Sequence, residues 1–154
     1  MKHLTFTHMT TAFFAGCIAY PLLEIAYRGH SHWTMSLTGG LCLATLFSYQ
    51  FAFEQLPSRR KALLGTLTIL ALELAVGTVS NLWLGWAIWD YTDLRFHYLG
   101  QISLEFALIW YVLCSLFFRI ADGISAATKK REPNLSSLSF HMIMLRKPFR
   151  RPCK

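Results

Sequence analysis

Residues 62–89 read ALLGTLTILALELAVGTVSNLWLGWAIW, 28 residues with one ionisable side chain, Glu73. A helix needs about 20 mainly apolar residues to cross the hydrocarbon core of a bilayer, and this stretch has them with a surplus. At 1.5 Å per residue it would span about 42 Å against a core of about 30 Å, so the expected helix tilts or protrudes. Outward from it, three more apolar stretches approach spanning length. The resulting expectation is an all-α integral membrane protein, a bundle of four transmembrane helices at about 4–26, 33–53, 62–83 and 101–120. These form a domain over 1–123, and 124–154 make a basic cytoplasmic tail.

Composition agrees. Hydrophobic residues are 54% and charged residues 15% of the 154, against about 25% charged in soluble domains. Such a chain has too little polar surface to hide four apolar segments from water. Pro21 predicts a kink near the far end of the first helix, and Gly39-Gly40 permits close helix contact in the second. Phe14-Ala15-Gly16-Cys17 faintly resembles a lipoprotein cleavage box, but apolar sequence continues to Ile25, so the segment is expected to be retained. The four cysteines, Cys17, Cys42, Cys114 and Cys153, are isolated and show no metal-site spacing.

Lysine and arginine placement orients the bundle. With the N-terminus, the 54–61 loop and the tail in the cytoplasm, 13 of the 15 basic residues lie inside and only Arg28 and Arg95 outside. Both termini are therefore expected to be cytoplasmic, with Arg59, Arg60 and Lys61 as a compact basic cluster in the inner loop. The net charge of +7 reports topology and contact with the lipid bilayer; no nucleic-acid-binding signature accompanies it. The tail stretch 138–147 mixes bulky apolar and basic residues and either lies on the inner leaflet or forms a solvated basic tail.

An ionisable residue inside a membrane helix costs about 2.5–3.5 kcal/mol on insertion scales, so each calls for a reason. Glu24, Glu73 and Glu105 fall in helical segments, and threading places them with Asn81 in the outer half. Glu24 and Arg28 are four apart and share a helix face. Glu73, Gly77 and Asn81 repeat at four and form one polar, small-residue stripe. Two readings stay open: these groups glue helices together, or they line a binding or transport site. His30 and His32 with Asp90 and Asp93 are metal-ligand types without fixed spacing, so no metal is assigned. Trp83, Trp86 and Trp89, with Trp33, read as an interfacial belt. Phosphate-loop, serine-elbow, zinc-protease and kinase signatures are absent from the sequence, and no catalytic residue or cofactor is expected.

Three motifs, Asn81-Leu82-Trp83-Leu84-Gly85, Trp89-Asp90-Tyr91-Thr92 and Gly100-Gln101-Ile102, together with Arg28-Gly29-His30-Ser31-His32-Trp33-Thr34-Met35 and Gly39-Gly40, resemble the bacterial membrane family of putative ABC-transporter type IV proteins, named as permeases. The resemblance covers roughly residues 20–118. His97, Ser103 and Glu105 depart from the family's Asn, Cys and Pro, and the tail after Ala127 differs from its usual end. The resemblance implies a multi-pass protein of the bacterial inner membrane. It also implies a permease-like component of a transport system with a separate ATPase or other membrane subunit. A four-helix chain seldom forms a pathway alone, so a homo-oligomer is expected. The residues expected at a polar site are Glu24, Arg28, His32, Glu73, Asn81, Trp89, Asp90, Tyr91 and Glu105. The alternative is a non-transporting scaffold or regulatory subunit whose motifs fix helix packing.

Overall fold

The computed structural model describes residues 6–131; the expectations for the N-terminus and for the tail stretch 138–147 lie outside the described residues. Helix α1, Phe6–Arg28, runs through Pro21, which withdraws one backbone donor without ending it. It stops where Gly29 takes φ +80° and its N–H reaches the Ile25 carbonyl at 2.9 Å, a left-handed cap. Helix α2, Trp33–Ala52, opens on His32, whose extended backbone is its N-cap. Helix α3, Ser58–Gly77, starts directly after Pro57. It passes into a π-helical segment, Thr78–Trp83. Two short strands, β1 at His97–Tyr98 and β2 at Ile102–Ser103, pair antiparallel and lead into helix α4, Leu104–Arg131.

The distribution of apolar side chains is inverted relative to a soluble protein. On α4, Leu108, Val112, Leu116 and Ile120 repeat at four and are all exposed; on α1, Phe14, Ile18, Leu22 and Ile25 are exposed as well. Small and polar residues face inward instead. A Cβ on Gly16 or on Gly39 would collide with the other residue's backbone, so α1 and α2 pack backbone against backbone. Among the described residues, three helices, Phe6–Arg28, Ser58–Trp83 and Leu104–Lys130, are long and apolar enough to cross a membrane. The expected second crossing falls short on apolarity: α2 has 20 residues, but Thr34, Ser36, Thr38, Thr45, Ser48 and Gln50 dilute it.

Two clusters fill the interior. Cys42, Leu46, Ala62, Ile69, Cys114 and Phe118 join α2, α3 and α4, while Tyr20, Met35, Ile88 and Trp89 join α1 and α2 to the loop after α3. The second cluster shows where the apolar residues beyond the expected 62–83 helix go. The helical conformation stops at Trp83, and Ile88 and Trp89 fold back into the bundle.

Lys61 also needs correction. It is completely buried, not part of an exposed basic cluster. Its Nζ donates to Asp122 Oδ1 on α4 at 2.5 Å and to Gln50 Oε1 on α2 at 2.8 Å. Gln50 Nε2 and Ser58 Oγ also donate to Asp122, at 2.8 and 2.6 Å. The Phe118 ring lies beneath the ammonium, 5.4 Å from centroid to Nζ. This closed network ties α2, α3 and α4 at the end of the bundle opposite the 84–103 loop.

Candidate functional site: a carboxylate-bearing cavity beside α3

The inward stripe of α3 consists of Lys61, Gly65, Ile69, Glu73 and Gly77, buried residues repeating at four. Glu73 is 4% exposed. Its Oε1 accepts from the Tyr20 hydroxyl of α1 at 2.6 Å and from the Trp110 indole N–H of α4 at 2.9 Å. Its Oε2 is buried without a hydrogen-bond partner. An unmet buried carboxylate oxygen is costly and calls for an explanation.

Beside it lies a cavity of about 300 Å³ lined from α1, α3, α4 and Tyr91. Five of its eleven lining residues are aromatic: Tyr20, Tyr27, Tyr91, Phe106 and Trp110. Tyr91 stacks on Phe106 at 4.5 Å between centroids, and Tyr27 meets the same ring edge-on at 5.7 Å. Burial pushes the Tyr91 phenol above its ordinary range, with Glu73 adding to the shift, so it stays neutral. Leu23 on α1 and Ile109 on α4, 52% and 47% exposed, border the cavity toward the outer surface of the bundle.

Glu24 and Arg28 complete the polar lining. Arg28 Nη2 pairs with Glu24 Oε1 at 2.6 Å, its Nη1 donates to the Ile88 carbonyl at 2.7 Å, and Ser31 Oγ donates to Glu24 Oε2 at 2.5 Å. Arg28 Nε is buried and unpartnered. The Glu24–Arg28 pair is internally neutral; Glu73 has only neutral donors around it. The cavity lining therefore carries one carboxylate in excess.

Of the residues expected at a polar site, four meet here: Glu24, Arg28, Glu73 and Tyr91. The others lie elsewhere. Asn81 clips the loop down: its Nδ2 donates to Gln101 Oε1 at 2.7 Å and to the Trp89 carbonyl at 3.0 Å, and its Oδ1 accepts from the Ile88 N–H at 2.7 Å. Trp89 is buried and donates to the Gln101 carbonyl at 3.0 Å, so it is no part of a belt; Trp33, Trp83 and Trp86 are exposed. Asp90 is exposed and accepts from the Thr92 N–H at 2.9 Å, a local turn. His32 Nδ1 faces the Thr34 hydroxyl at 2.9 Å, and its ring packs against Trp33 and Trp86. Glu105 stands exposed in the first turn of α4.

Sequence reasoning missed Tyr20, Trp110 and Gln101. Tyr20 was within reach, since it precedes Glu24 by four and so shares the Glu24–Arg28 face. Gln101 had a weaker signal: Gly77 leaves the space its side chain occupies, because a Cβ there would strike Gln101 Oε1. Among the described residues, no group of three or more His, Cys, Asp or Glu side chains could hold a metal ion.

The family model for putative ABC-transporter type IV proteins matches residues 11–146. The chain belongs to this family. Type IV membership makes it a transport-related membrane protein, in keeping with the three apolar helices. The match reaches well beyond 20–118 and takes in most of the basic tail, which was expected to differ from the family's usual end. Neither a curated protein sequence nor a solved structure matches the type IV chain.

Proposed function

We propose that the protein is a permease-like component of a transport system and that the Glu73 cavity is its polar site, in the outer half of a four-pass bundle. The carrying observation is that Glu24, Arg28, Glu73 and Tyr91, brought from α1, α3 and the loop, line one cavity of about 300 Å³. In this topology the ends of α1 and α4 remote from that loop face the cytoplasm, and the membrane is the bacterial inner membrane. The basic residues near 59–61 and after 119 support the orientation. A crossing by α2 completes it: Gly39 of α2 packs on Gly16 and Tyr20 of α1, Ser48 reaches Met9 of α1, and Gln50 bonds to Lys61 and Asp122, so polar residues of α2 meet protein. One such chain is too small to enclose a pathway, so the working unit contains further copies or a separate ATPase or other membrane subunit.

Native purification of the full-length chain in mild detergent, followed by mass spectrometry, tests the assignment. An ATPase subunit is expected among the copurifying proteins. Glu73→Gln, which keeps an acceptor for Tyr20 and Trp110, should accumulate normally yet lose the transport phenotype. A second reading, a non-transporting scaffold, draws on Asn81, whose amide is wholly occupied in holding the loop. Recovery of an unrelated enzyme without an ATPase, and Glu73 variants that only fail to accumulate, would decide for it.

A further inference from the structure

We infer that the Glu73 cavity binds an organic amine, its ammonium at the Glu73 carboxyl group and its apolar body against the aromatic side chains; this rests on the cavity being the functional site proposed above. Four observations narrow the ligand class. Arg28 is engaged by Glu24 and by the Ile88 carbonyl, so the lining offers an anion no spare cationic side chain, while Glu73 is a carboxyl group with no cationic partner. Glu73 Oε2 is an acceptor without a donor, on a side chain 4% exposed. Protonation would remove the charge but would turn Oε2 into a hydroxyl donor that also lacks a partner, whereas an ammonium supplies both charge and donor. Finally, the rings of Tyr20, Tyr27, Tyr91, Phe106 and Trp110 line the cavity, and aromatic rings attract cations within about 6 Å.

An inorganic cation fits poorly. Calcium or magnesium takes six or more oxygen ligands, and here a single carboxylate oxygen is unengaged in an aromatic wall. An ammonium on an apolar body matches both halves of the lining. The half-exposed Leu23 and Ile109 at the border, on helices apolar enough to span, give such a molecule a way in from the lipid side.

Calorimetry on purified full-length protein in lipid nanodiscs, with phenethylamine as probe and 2-phenylethanol as its uncharged analogue, tests this. Phenethylamine should bind at least about tenfold more tightly than the alcohol. Glu73→Gln should weaken the amine by about 30-fold, as expected for loss of a buried charge partner, and leave the alcohol unchanged. Ile109→Trp, which narrows the border without touching the polar groups, should exclude both. The inference is overturned if amine and alcohol bind equally, if Glu73→Gln leaves amine affinity intact, or if wild-type protein binds neither. Should Glu73→Gln not fold, the wild-type comparison and Ile109→Trp still decide. Copurification of an ATPase with no amine binding removes only the ligand class; amine binding without an ATPase removes only the transport assignment.

Discussion

Lys61 shows how much a single position can hide. Next to Arg59 and Arg60 it reads as one more loop charge, yet it begins the same fourfold stripe that reaches Glu73 and Gly77. The stripe was read from Glu73 onward because a charge inside an apolar run draws attention, whereas a charge beside two others does not. Removing one partner of a fully buried ion pair costs about 3–5 kcal/mol, but the Asp122 side chain is 37% exposed, so water screens this pair and the cost falls below that range. Apolar replacement of both partners can be neutral. Asp122→Asn should still lower the midpoint of denaturant unfolding in detergent, since it strips the charge facing a fully buried ammonium. Lys61→Met with Asp122→Leu should recover most of the loss. Equal stability of Asp122→Asn and wild type would show that the pair is solvated in the folded protein. Glu73, Glu24 and Arg28 were legible for the opposite reason: their burial cost is visible in any apolar segment. Their partners Tyr20 and Trp110 were not, because aromatic residues are ordinary in membrane helices and only tertiary placement makes them donors.

At the scale of elements, the apolar segments announced the helices, but the behaviour of their ends came from tertiary contacts. The Thr78–Trp83 π-helical segment and the return of Ile88 and Trp89 into the core are set by Asn81 and Gln101 acting across twenty residues, a distance that periodicity does not reach. The loop also carries Ala87 and Leu99 at φ 47° and 54°, conformations that cost about 1–2 kcal/mol for residues with a Cβ. The Asn81 bond to the adjacent Ile88 N–H holds one of them in place. The α1–α2 contact was partly visible in Gly39-Gly40; its counterpart Gly16 lay unnoticed inside a supposed cleavage box. Because a Cβ at Gly16 would meet the Gly39 carbonyl, Gly16→Ala should destabilise the protein by about 1–3 kcal/mol, the usual cost of overpacking. Leu22→Ala, on the exposed face, should cost less than half as much in the same thermal unfolding assay. Similar losses for both would mean that α1 is not seated on α2.

For the whole molecule, hydropathy indicated a membrane protein and Lys/Arg bias an orientation, while the course of α2 calls for a direct measurement. Cysteines at three exposed positions, His30→Cys, Arg59→Cys and Asp93→Cys, introduced in a background lacking the native cysteines, provide it. In intact cells a membrane-impermeant maleimide should label positions 30 and 93, and position 59 only after permeabilisation. If 30 and 59 label from the same side, α2 does not cross. Ionisable side chains in the bundle add one more consequence. Lys61 is matched by Asp122 and Arg28 by Glu24, whereas the Glu73 carboxyl, roughly 18 Å along α3 from Lys61, has only the neutral donors Tyr20 and Trp110. In the proposed topology a charge at that depth would lie partway down the transmembrane electric field, where a full crossing is worth about 2.3 kcal/mol per 100 mV. Loading a cation onto Glu73 would then move part of an elementary charge through the field, and its occupancy would follow membrane voltage as well as concentration.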